Sequence, residues 1–274
     1  MISLPNSDAH RIRQLFEAEH LSLVIEAIIA GHSPARIWVD DPTPGTALIW
    51  DGAHCVYLAC PADNSGGWQE AFRHHIAPSA PNLIKLYTGG PIRLPGYTLQ
   101  RRERILYRLD RQAGRADRAD PAQLPAGFTI SEIGSGFDEL GALENFAEVA
   151  AEISSVWNSI DDFKAAGFGF CVHDGRSIAC WCTAEYVSAG QCGIGIETVP
   201  QFRRRGFATA ATQAFLTHCS ARQITPHWDS WADNTPSIAV AEKTGFRKIE
   251  TYSILVVSPD IQWPARYGGF TIDR

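Results

Sequence analysis

Long apolar runs are absent from this sequence, and so is any excess of positive charge. The longest apolar stretch, residues 21–30, is interrupted by Glu26 and is much shorter than the roughly 20 apolar residues that cross a bilayer. Residues 1–6 lack the basic segment and apolar run of a signal peptide. A formal net charge of −6 at pH 7 argues against a nonspecific nucleic-acid binder, which needs clustered positive charge. We therefore predict a cytoplasmic protein with neither a membrane nor a nucleic acid as its partner.

Disulfide and metal frameworks are also absent. The seven cysteines are an odd number without regular spacing. Cys180 and Cys182 are separated by one residue, which does not make a Cys-x-x-Cys metal turn. The adjacent His74 and His75 are most simply a solvated helix face. We predict reduced, buried cysteines and no metal site.

The composition is that of a globular protein, with 45% hydrophobic and 20% charged residues in a chain of 274. This length accommodates one large domain or two ordinary ones. Small, charged and proline-bearing residues without apolar periodicity occupy 111–127, a pattern typical of a linker. We predict an N-terminal domain at 1–112, a linker at 113–126 and a second domain at 127–274.

Apolar periodicity and turn residues predict a mixed α/β pattern in both parts of the chain. In the N-terminal part we expect helices at 8–30 and 67–76 and strands at 36–40, 47–51, 54–60, 83–87 and 104–109. In the C-terminal part we expect helices at 136–153, 207–219 and 235–243 and strands at 128–133, 168–173, 177–187, 192–199, 227–231 and 247–257. The similar order of turns, strands and helices in the two parts is compatible with a duplicated unit whose first copy has lost its site, and equally with two unrelated parts.

The most informative segment, residues 195–210, reads as a strand, a short basic turn and an amphipathic helix that begins beside Gly206. The first turn of a helix presents unpaired backbone N–H groups and partial positive charge. Gly206 lets the backbone approach a ligand, small Ala208 avoids a clash, and the arginines offer forked donors to phosphate. The segment therefore predicts a diphosphate site. It matches neither a Walker loop nor a Gly-x-Gly-x-x-Gly fingerprint, and a solvated basic loop is the alternative.

Two motifs in the second part carry a family resemblance. Arg203-Arg204-Arg205-Gly206-Phe207-Ala208 matches the signature Arg/Gln-x-x-Gly-x-Gly/Ala with which GNAT N-acetyltransferases bind CoA. One helix and one strand later come Asn234-Thr235-Pro236-Ser237 and a helix that ends at Gly245-Phe246. Residues 128–257 thus resemble the GNAT superfamily. The resemblance implies an α/β fold with a mixed, mostly antiparallel sheet flanked by helices, preceded here by a second α/β domain, which a degenerate GNAT-like copy would explain.

Acetyl-CoA is the co-substrate that the resemblance implies, with its acetyl group where two neighbouring strands splay apart. Backbone groups around Ile196, Thr198 and Val199 would bind the acetyl and pantetheine arm, which Asn234 and Ser237 would also contact. The turn and the helix start would bind the diphosphate, through Arg203, Arg204, Arg205, Gly206, Phe207, Ala208 and Thr209.

Direct acetyl transfer to a primary amine in a ternary complex is the implied activity. The amine must lose a proton before it attacks the thioester, so a base is needed. Glu197, at the end of the strand that enters the turn, is the first candidate, with a solvent-facing or arginine-paired carboxylate as the alternative. Many family members place a tyrosine that acts as the general acid at the position of Ala241. The acid role here is therefore open to Ser237, Tyr252, water or no group at all.

The acceptor would be a small-molecule or peptide amine, and the resemblance directs it to the region of the helix before the first hairpin. Glu152 and Trp157 are candidate substrate-binding residues there, with carboxylates on a solvated helix surface as the alternative. His227 and Asp229 share a strand face, where we favour a buried, hydrogen-bonded pair over a catalytic role.

Two rival functions remain open. One is a non-catalytic acyl-CoA sensor or scaffold, which the alanine at position 241 weakly favours. The other is an RNA- or nucleotide-binding module that uses Arg203 to Arg205, which the acidic composition opposes. The N-terminal part could cover the acceptor pocket or form the interface of a homodimer.

Overall fold

The computed structural model of the chain describes residues 1–63, 65–80, 83–110 and 124–260. Its N-terminal half alternates strands with short helical segments. The strands are β1 (Ile2–Leu4), β2 (Arg36–Val39), β3 (Ala47–Trp50), β4 (Cys55–Ala59), β5 (Ile84–Thr88) and β6 (Tyr97–Leu109). The helical segments are a 3-10 helix (Asn6–Leu15), α1 (Glu19–Ile29), α2 (Trp68–Ala71) and a π-helical turn (Phe72–Ile76).

The C-terminal half has longer strands and longer helices. Its strands are β7 (Thr129–Glu132), β8 (Gly169–His173), β9 (Ile178–Ser188), β10 (Gln191–Thr198), β11 (Thr225–Trp231) and β12 (Phe246–Pro259). Its helices are α3 (Phe137–Leu140), α4 (Phe146–Val156), α5 (Ile160–Ala166), a 3-10 turn (Pro200–Phe202), α6 (Phe207–Ala221) and α7 (Thr235–Lys243). The last of these coincides with the predicted helix at 235–243. Most of the predicted linker, residues 113–123, lies outside the described part of the chain.

Three predicted helices are wrong in detail. The one at 8–30 is two segments, because the backbone is extended at Ala18 (φ −64°, ψ 135°) between the 3-10 helix and α1. In the first segment the buried Ala9 and Ile12 are three residues apart, the spacing that a 3-10 turn places on one face. The one at 136–153 divides into α3 and α4, and the one at 67–76 changes from α2 into the π-helical turn.

The twelve strands of the described residues form one sheet in the order β1-β2-β3-β4-β5-β12-β6-β11-β10-β9-β8-β7. The pairs β4–β5 and β10–β11 are parallel, and the other neighbouring pairs are antiparallel. The predicted fold class, a mixed and mostly antiparallel sheet flanked by helices, is confirmed.

The two halves repeat one topology. Strands β1 to β6 of the N-terminal half correspond, in order, to strands β7 to β12 of the C-terminal half. When every strand in the sheet order is replaced by its counterpart, the same order results, read from the opposite edge. The parallel pairs β4–β5 and β10–β11 correspond under this operation. The repeat supports the hypothesis of a duplicated unit.

The two central strands are exchanged between the halves. β6 lies between β11 and β12, and β12 lies between β5 and β6. β6 and β12 pair along almost their whole length, from Leu109 opposite Phe246 to Tyr97 opposite Pro259. The domain boundary at 112 stays a prediction, while the sheet itself continues across the two halves.

Helices cover the sheet of the C-terminal half on both faces. On one face α6 packs through Phe207 and Phe215 against a core that includes Trp228 and Phe246. On the other face α4 packs on β8 and β9, and α1 of the N-terminal half packs on β9 and β10. We call this second face the inner face. On β9 and β10 it carries Trp181, Thr183, Glu185, Gly193, Gly195 and Glu197.

Candidate active site

A gap opens between the two parallel strands β10 and β11. Their pairing covers only Gln191–Gly193 opposite Thr225–His227. Beyond that point β10 continues to Thr198 beside β9 alone, and β11 continues to Trp231 beside β6 alone. Among the described residues, no ladder pairing joins β10 to β11 beyond Gly193 and His227, which agrees with the predicted splay.

The turn after β10 ends at a glycine in the left-handed conformation. Gly206 is the N-cap of α6 with φ 82°, and Arg204 is also left-handed with φ 62°. The first backbone hydrogen bond of α6 joins the Ala210 N–H to the Gly206 carbonyl at 3.0 Å, so the preceding N–H groups of the first turn point outward. A β-carbon at Gly206 would meet no atom of the described residues within 4 Å. The open, positively polarised helix start fits an anion.

The three arginines of the turn are exposed but differ in their contacts. Arg203 donates from Nε to the Thr198 carbonyl at 3.1 Å, and its Nη2 lies 3.4 Å from a Glu197 carboxylate oxygen. Arg205 stacks over the Phe202 ring at 5.6 Å. The predicted diphosphate residues therefore lie together at one end of the gap.

Two of the residues predicted to contact pantetheine, Asn234 and Ser237, lie at the start of α7. The Asn234 side-chain oxygen accepts a hydrogen bond from the Ser237 N–H at 3.2 Å and so caps the helix. The Ser237 hydroxyl accepts a hydrogen bond from the Trp228 indole at 3.1 Å, which leaves its own proton to donate. Ala241 is fully buried in the core below.

Two half-buried carboxylates, those of Glu152 and Glu185, converge on the inner face over Gly195. A β-carbon at this glycine would lie 2.4 Å from Glu185 Oε1 and 2.8 Å from Glu152 Oε1. Glu152 accepts hydrogen bonds from the Trp181 indole at 2.7 Å and from the Thr183 hydroxyl at 3.5 Å. Gly195 therefore creates the space that the two carboxylates occupy.

Desolvation changes the acidity of both groups. Burial, with the nearby Glu152 charge, raises the pKa of Glu185 to about 7, against the opposing charges of Lys85 and Arg104. Burial also raises the pKa of Glu152, although its hydrogen bonds oppose the shift. A carboxyl group with a pKa near 7 exchanges protons at neutral pH, which is the property of a general base.

Glu185 is the functional candidate that the sequence reasoning missed. It lies beside a β-bulge, where Glu185 pairs with Gly193 but Ser188 pairs with Gln191. Tyr186, inside the bulge, is left-handed with φ 50°, which is uncommon for a residue with a side chain. An available signal was a lone carboxylate in the otherwise apolar strand 178–187.

Glu197, the predicted base, and Trp157, a predicted acceptor-binding residue, differ in exposure and in hydrogen bonding. Glu197 is 44% exposed in its side chain and pairs with Arg203, which is the alternative expected for it. Trp157 is buried, and its indole donates to the Ala184 carbonyl at 2.9 Å. The catalytic role of Glu197 and the acceptor-binding role of Trp157 stay predictions.

The expected pair of His227 and Asp229 is wrong. The Asp229 carboxylate instead accepts hydrogen bonds from Arg104 at 2.7 Å and from the Tyr252 hydroxyl. His227 is buried, and its Nε2 has no hydrogen-bond partner among the residues that the structure describes. Arg104 comes from β6, so the exchanged strand supplies the partner that the sequence could not indicate.

The described residues contain neither a metal-binding cluster nor a helix that could span a membrane. No group of three or more His, Cys, Asp or Glu residues among them could hold a metal ion. None of their helices is both long enough and apolar enough to cross a bilayer.

The fold and the site define an acyltransferase of the GNAT type, and comparison with known proteins gives the family. Residues 99–255 match the family model described as GNAT acetyltransferase. The chain therefore belongs to the GNAT acetyltransferase family. The matched region begins within β6, so it includes the exchanged strand.

The relatives match different shares of the chain. The uncharacterized N-acetyltransferase YdfB of Bacillus subtilis (strain 168) is 32% identical over 132 residues, which are 48% of this chain and 49% of that protein. The chain thus spans about half the length of this curated relative. A GCN5-related N-acetyltransferase-like protein from Streptococcus suis 89/1591 has a TM-score of 0.65 at 17% identity and covers 92% of this chain and 98% of its own. A tandem GNAT protein from the clavulanic acid biosynthesis pathway has a TM-score of 0.55 at 14% identity and covers 96% and 99%. Both structures share the fold across the two halves.

Proposed function

We propose that the C-terminal half binds acetyl-CoA and transfers the acetyl group directly to a primary amine. The observation that carries the proposal is the separation of β10 from β11 immediately before the left-handed Gly206. Unpaired strand backbone would bind the pantetheine arm, and the N–H groups at the start of α6 would bind the diphosphate. The arginines of the turn add positive charge at that end.

Glu185 is the base in this proposal, in place of Glu197. An acceptor amine arrives protonated and must lose a proton before it attacks. Glu185 has a pKa of about 7 and lies with Glu152 over Gly195, whereas Glu197 is exposed and already paired with Arg203. The Ser237 hydroxyl is the candidate donor to the leaving thiolate.

Direct transfer is favoured over a covalent enzyme intermediate because the cysteines near the site are poor nucleophiles. Burial raises the pKa of Cys180 to about 12 and also raises the pKa of Cys182. A hydrogen bond with Cys219, together with burial, raises the pKa of Cys192. These thiols would remain protonated at neutral pH, and the thiolate is the reactive form.

The test combines binding and turnover. Acetyl-CoA is titrated into the protein by calorimetry, and a panel of primary amines is then screened for release of the CoA thiol. Micromolar binding, with an acetylated amine as product and no acetylated protein by intact mass, is the expected result. Binding without turnover of any amine would favour the sensor that the buried Ala241 suggests, and no binding would overturn the proposal.

A further inference from the structure

The inner face of the sheet carries the positively charged Lys85 as well as the carboxylates of Glu152 and Glu185. We infer that the acceptor is an amino acid-like molecule, whose amine meets Glu152 and Glu185 and whose carboxylate meets Lys85 of the N-terminal half. This inference rests on the proposed function and names the class of its acceptor.

Strand register puts Lys85 and Glu185 on the same face of the sheet. Residues directly opposite each other in a pair project to one side, and alternate residues of a strand share that side. Glu185 is opposite Gly193, which is opposite His227. Alternate residues of β11 project to one side, so Asp229 and Trp231 lie on the same face of the sheet as His227.

The register continues from Trp231 into the N-terminal half. Trp231 is opposite Arg104, and Arg104 is opposite Tyr252. Two steps further along β12, Val256 is opposite Lys85. Lys85 thus belongs to the inner face, although it is 100 residues away from Glu185 in the sequence.

Curvature of the sheet brings the two ends of this path together. Tyr186, the neighbour of Glu185, packs against the same cluster as Cys55, Tyr57 and Tyr87 of β4 and β5. The Lys85 ammonium lies 5.8 Å from the centre of the Trp231 ring. Its charge lowers the pKa of Glu185 against the effect of burial, so the two groups are within electrostatic range across the concave face.

Both charged groups are available to a ligand. Within the described part of the chain, neither the Lys85 ammonium nor the Glu185 carboxylate has a hydrogen bond or an ion pair of its side chain. Arg104, by contrast, is bound to Asp229 and Tyr252. The buried His227 Nε2, also without a partner, lies on the same face between them. Opposite charges on one face of the sheet, each without a side-chain ion pair among the described residues, match a ligand with both signs of charge.

An amine without a carboxylate would leave the half-buried Lys85 without a counter-ion. A site built for a polar group discriminates strongly against an analogue that lacks it, because its own group stays unpaired. Aromatic rings of Trp231 and Tyr87 would flank the body of the ligand. We expect a preference of at least about tenfold in kcat/KM for the carboxylate-bearing member of a matched pair.

The experiment compares matched acceptors on matched variants of the full chain. The acceptor pairs are phenylalanine with phenethylamine and 4-aminobutyrate with butylamine, so that the distance between the two charges varies. The variants are Lys85→Gln, Lys85→Arg, and Lys243→Gln as a control that removes an exposed lysine on α7. Thermal unfolding of each variant checks that it is folded.

The expected result is that the wild type and Lys243→Gln prefer the carboxylate member of at least one pair. Lys85→Gln should abolish this preference by raising KM for that acceptor alone, and Lys85→Arg should restore most of it. Equal rates for both members in the wild type, or an equal loss for both in Lys85→Gln, would overturn the inference while acetyl transfer stands. If acetyl-CoA binds but no amine in the panel is consumed, the proposed function and the inference fall together.

Discussion

The two halves of this molecule share a strand order but differ at the place where their parallel strands meet. In the N-terminal half, β4 and β5 pair over Cys55–Leu58 and Lys85–Thr88, nearly the whole of β4. In the C-terminal half, the corresponding strands pair over three residues and then part. The same topology therefore gives a closed seam in one half and an open gap in the other.

The two halves also differ in the turn and helix that follow the first strand of each parallel pair, β4 in one half and β10 in the other. Gly67 caps α2 in the left-handed conformation (φ 70°), as Gly206 caps α6 (φ 82°). However, residues 60–67 contain Asp63 and no arginine, and α2 is four residues long where α6 has fifteen. The glycine turn alone does not make a binding site, which also needs the gap, the positive charge and a long helix behind it.

The largest expected effect comes from separating the halves. A fragment of residues 113–274 lacks β6, so β11 and β12 lose the strand that lies between them. We expect this fragment to give no cooperative thermal transition by circular dichroism and to bind no acetyl-CoA. Addition of residues 1–112 as a separate chain should restore both properties. Wild-type affinity in the isolated fragment would show that the exchange is dispensable.

The second prediction sets the two glycine caps against each other. Gly206→Glu should weaken acetyl-CoA binding by at least about 100-fold in calorimetry, because a like charge beside the diphosphate costs several kcal/mol. Gly67→Glu is the matched control, since it carries a similar left-handed strain and equally open space. Equal losses in both variants would mean that the substitution acts through folding rather than through the site.

The third prediction concerns the base. Glu185→Gln should lower kcat by about 10²- to 10³-fold with acetyl-CoA affinity unchanged. The ionised form of Glu185 is the active one, so kcat/KM of the wild type should rise with pH through about 7 and then level off. The variant should lose this rising limb.

A stability measurement checks the same residue. The pKa of Glu185 is raised in the folded chain above the ordinary glutamate value, so the wild type loses stability as pH rises through about 7. At pH 8 Glu185→Gln should be at least as stable as the wild type. A rising limb that persists in this folded variant would assign the base to another group.

The smallest expected effect comes from substitution of Gly195, the glycine over which Glu152 and Glu185 converge. Gly195→Ala would place a methyl group within 3 Å of both carboxylates and displace them, so we expect a loss in kcat of about tenfold. Gly193→Ala, on the same strand face, meets only contacts of 3.4 Å or more and should be nearly neutral. Steady-state kinetics on the two variants distinguishes crowding of the carboxylates from a general disturbance of β10.

Local patterns in the sequence predicted the parts of the site that depend on neighbouring residues. The helix at 235–243, the start of the helix at Phe207 and the glycine turn before it all lie where they were expected. The role of Glu185, on strand β9, depends on the charge of Glu152 from helix α4 and on charges from β5 and β6. The Arg104–Asp229 pair likewise depends on a strand exchanged between distant segments. Such convergence follows from topology, which spacing along one chain does not reveal.

The exchange of β6 and β12 also determines when strands can pair during synthesis of the protein. On a ribosome, β6 leaves the exit tunnel well before β11 and β12, the two strands that flank it, have been synthesised. β5 likewise waits for β12, so two strand edges stay open until the last described strand emerges. Open edges invite pairing with other chains. The nascent chain thus has its longest period of aggregation risk at the centre of its sheet, and the final strand ends that risk for both halves at once.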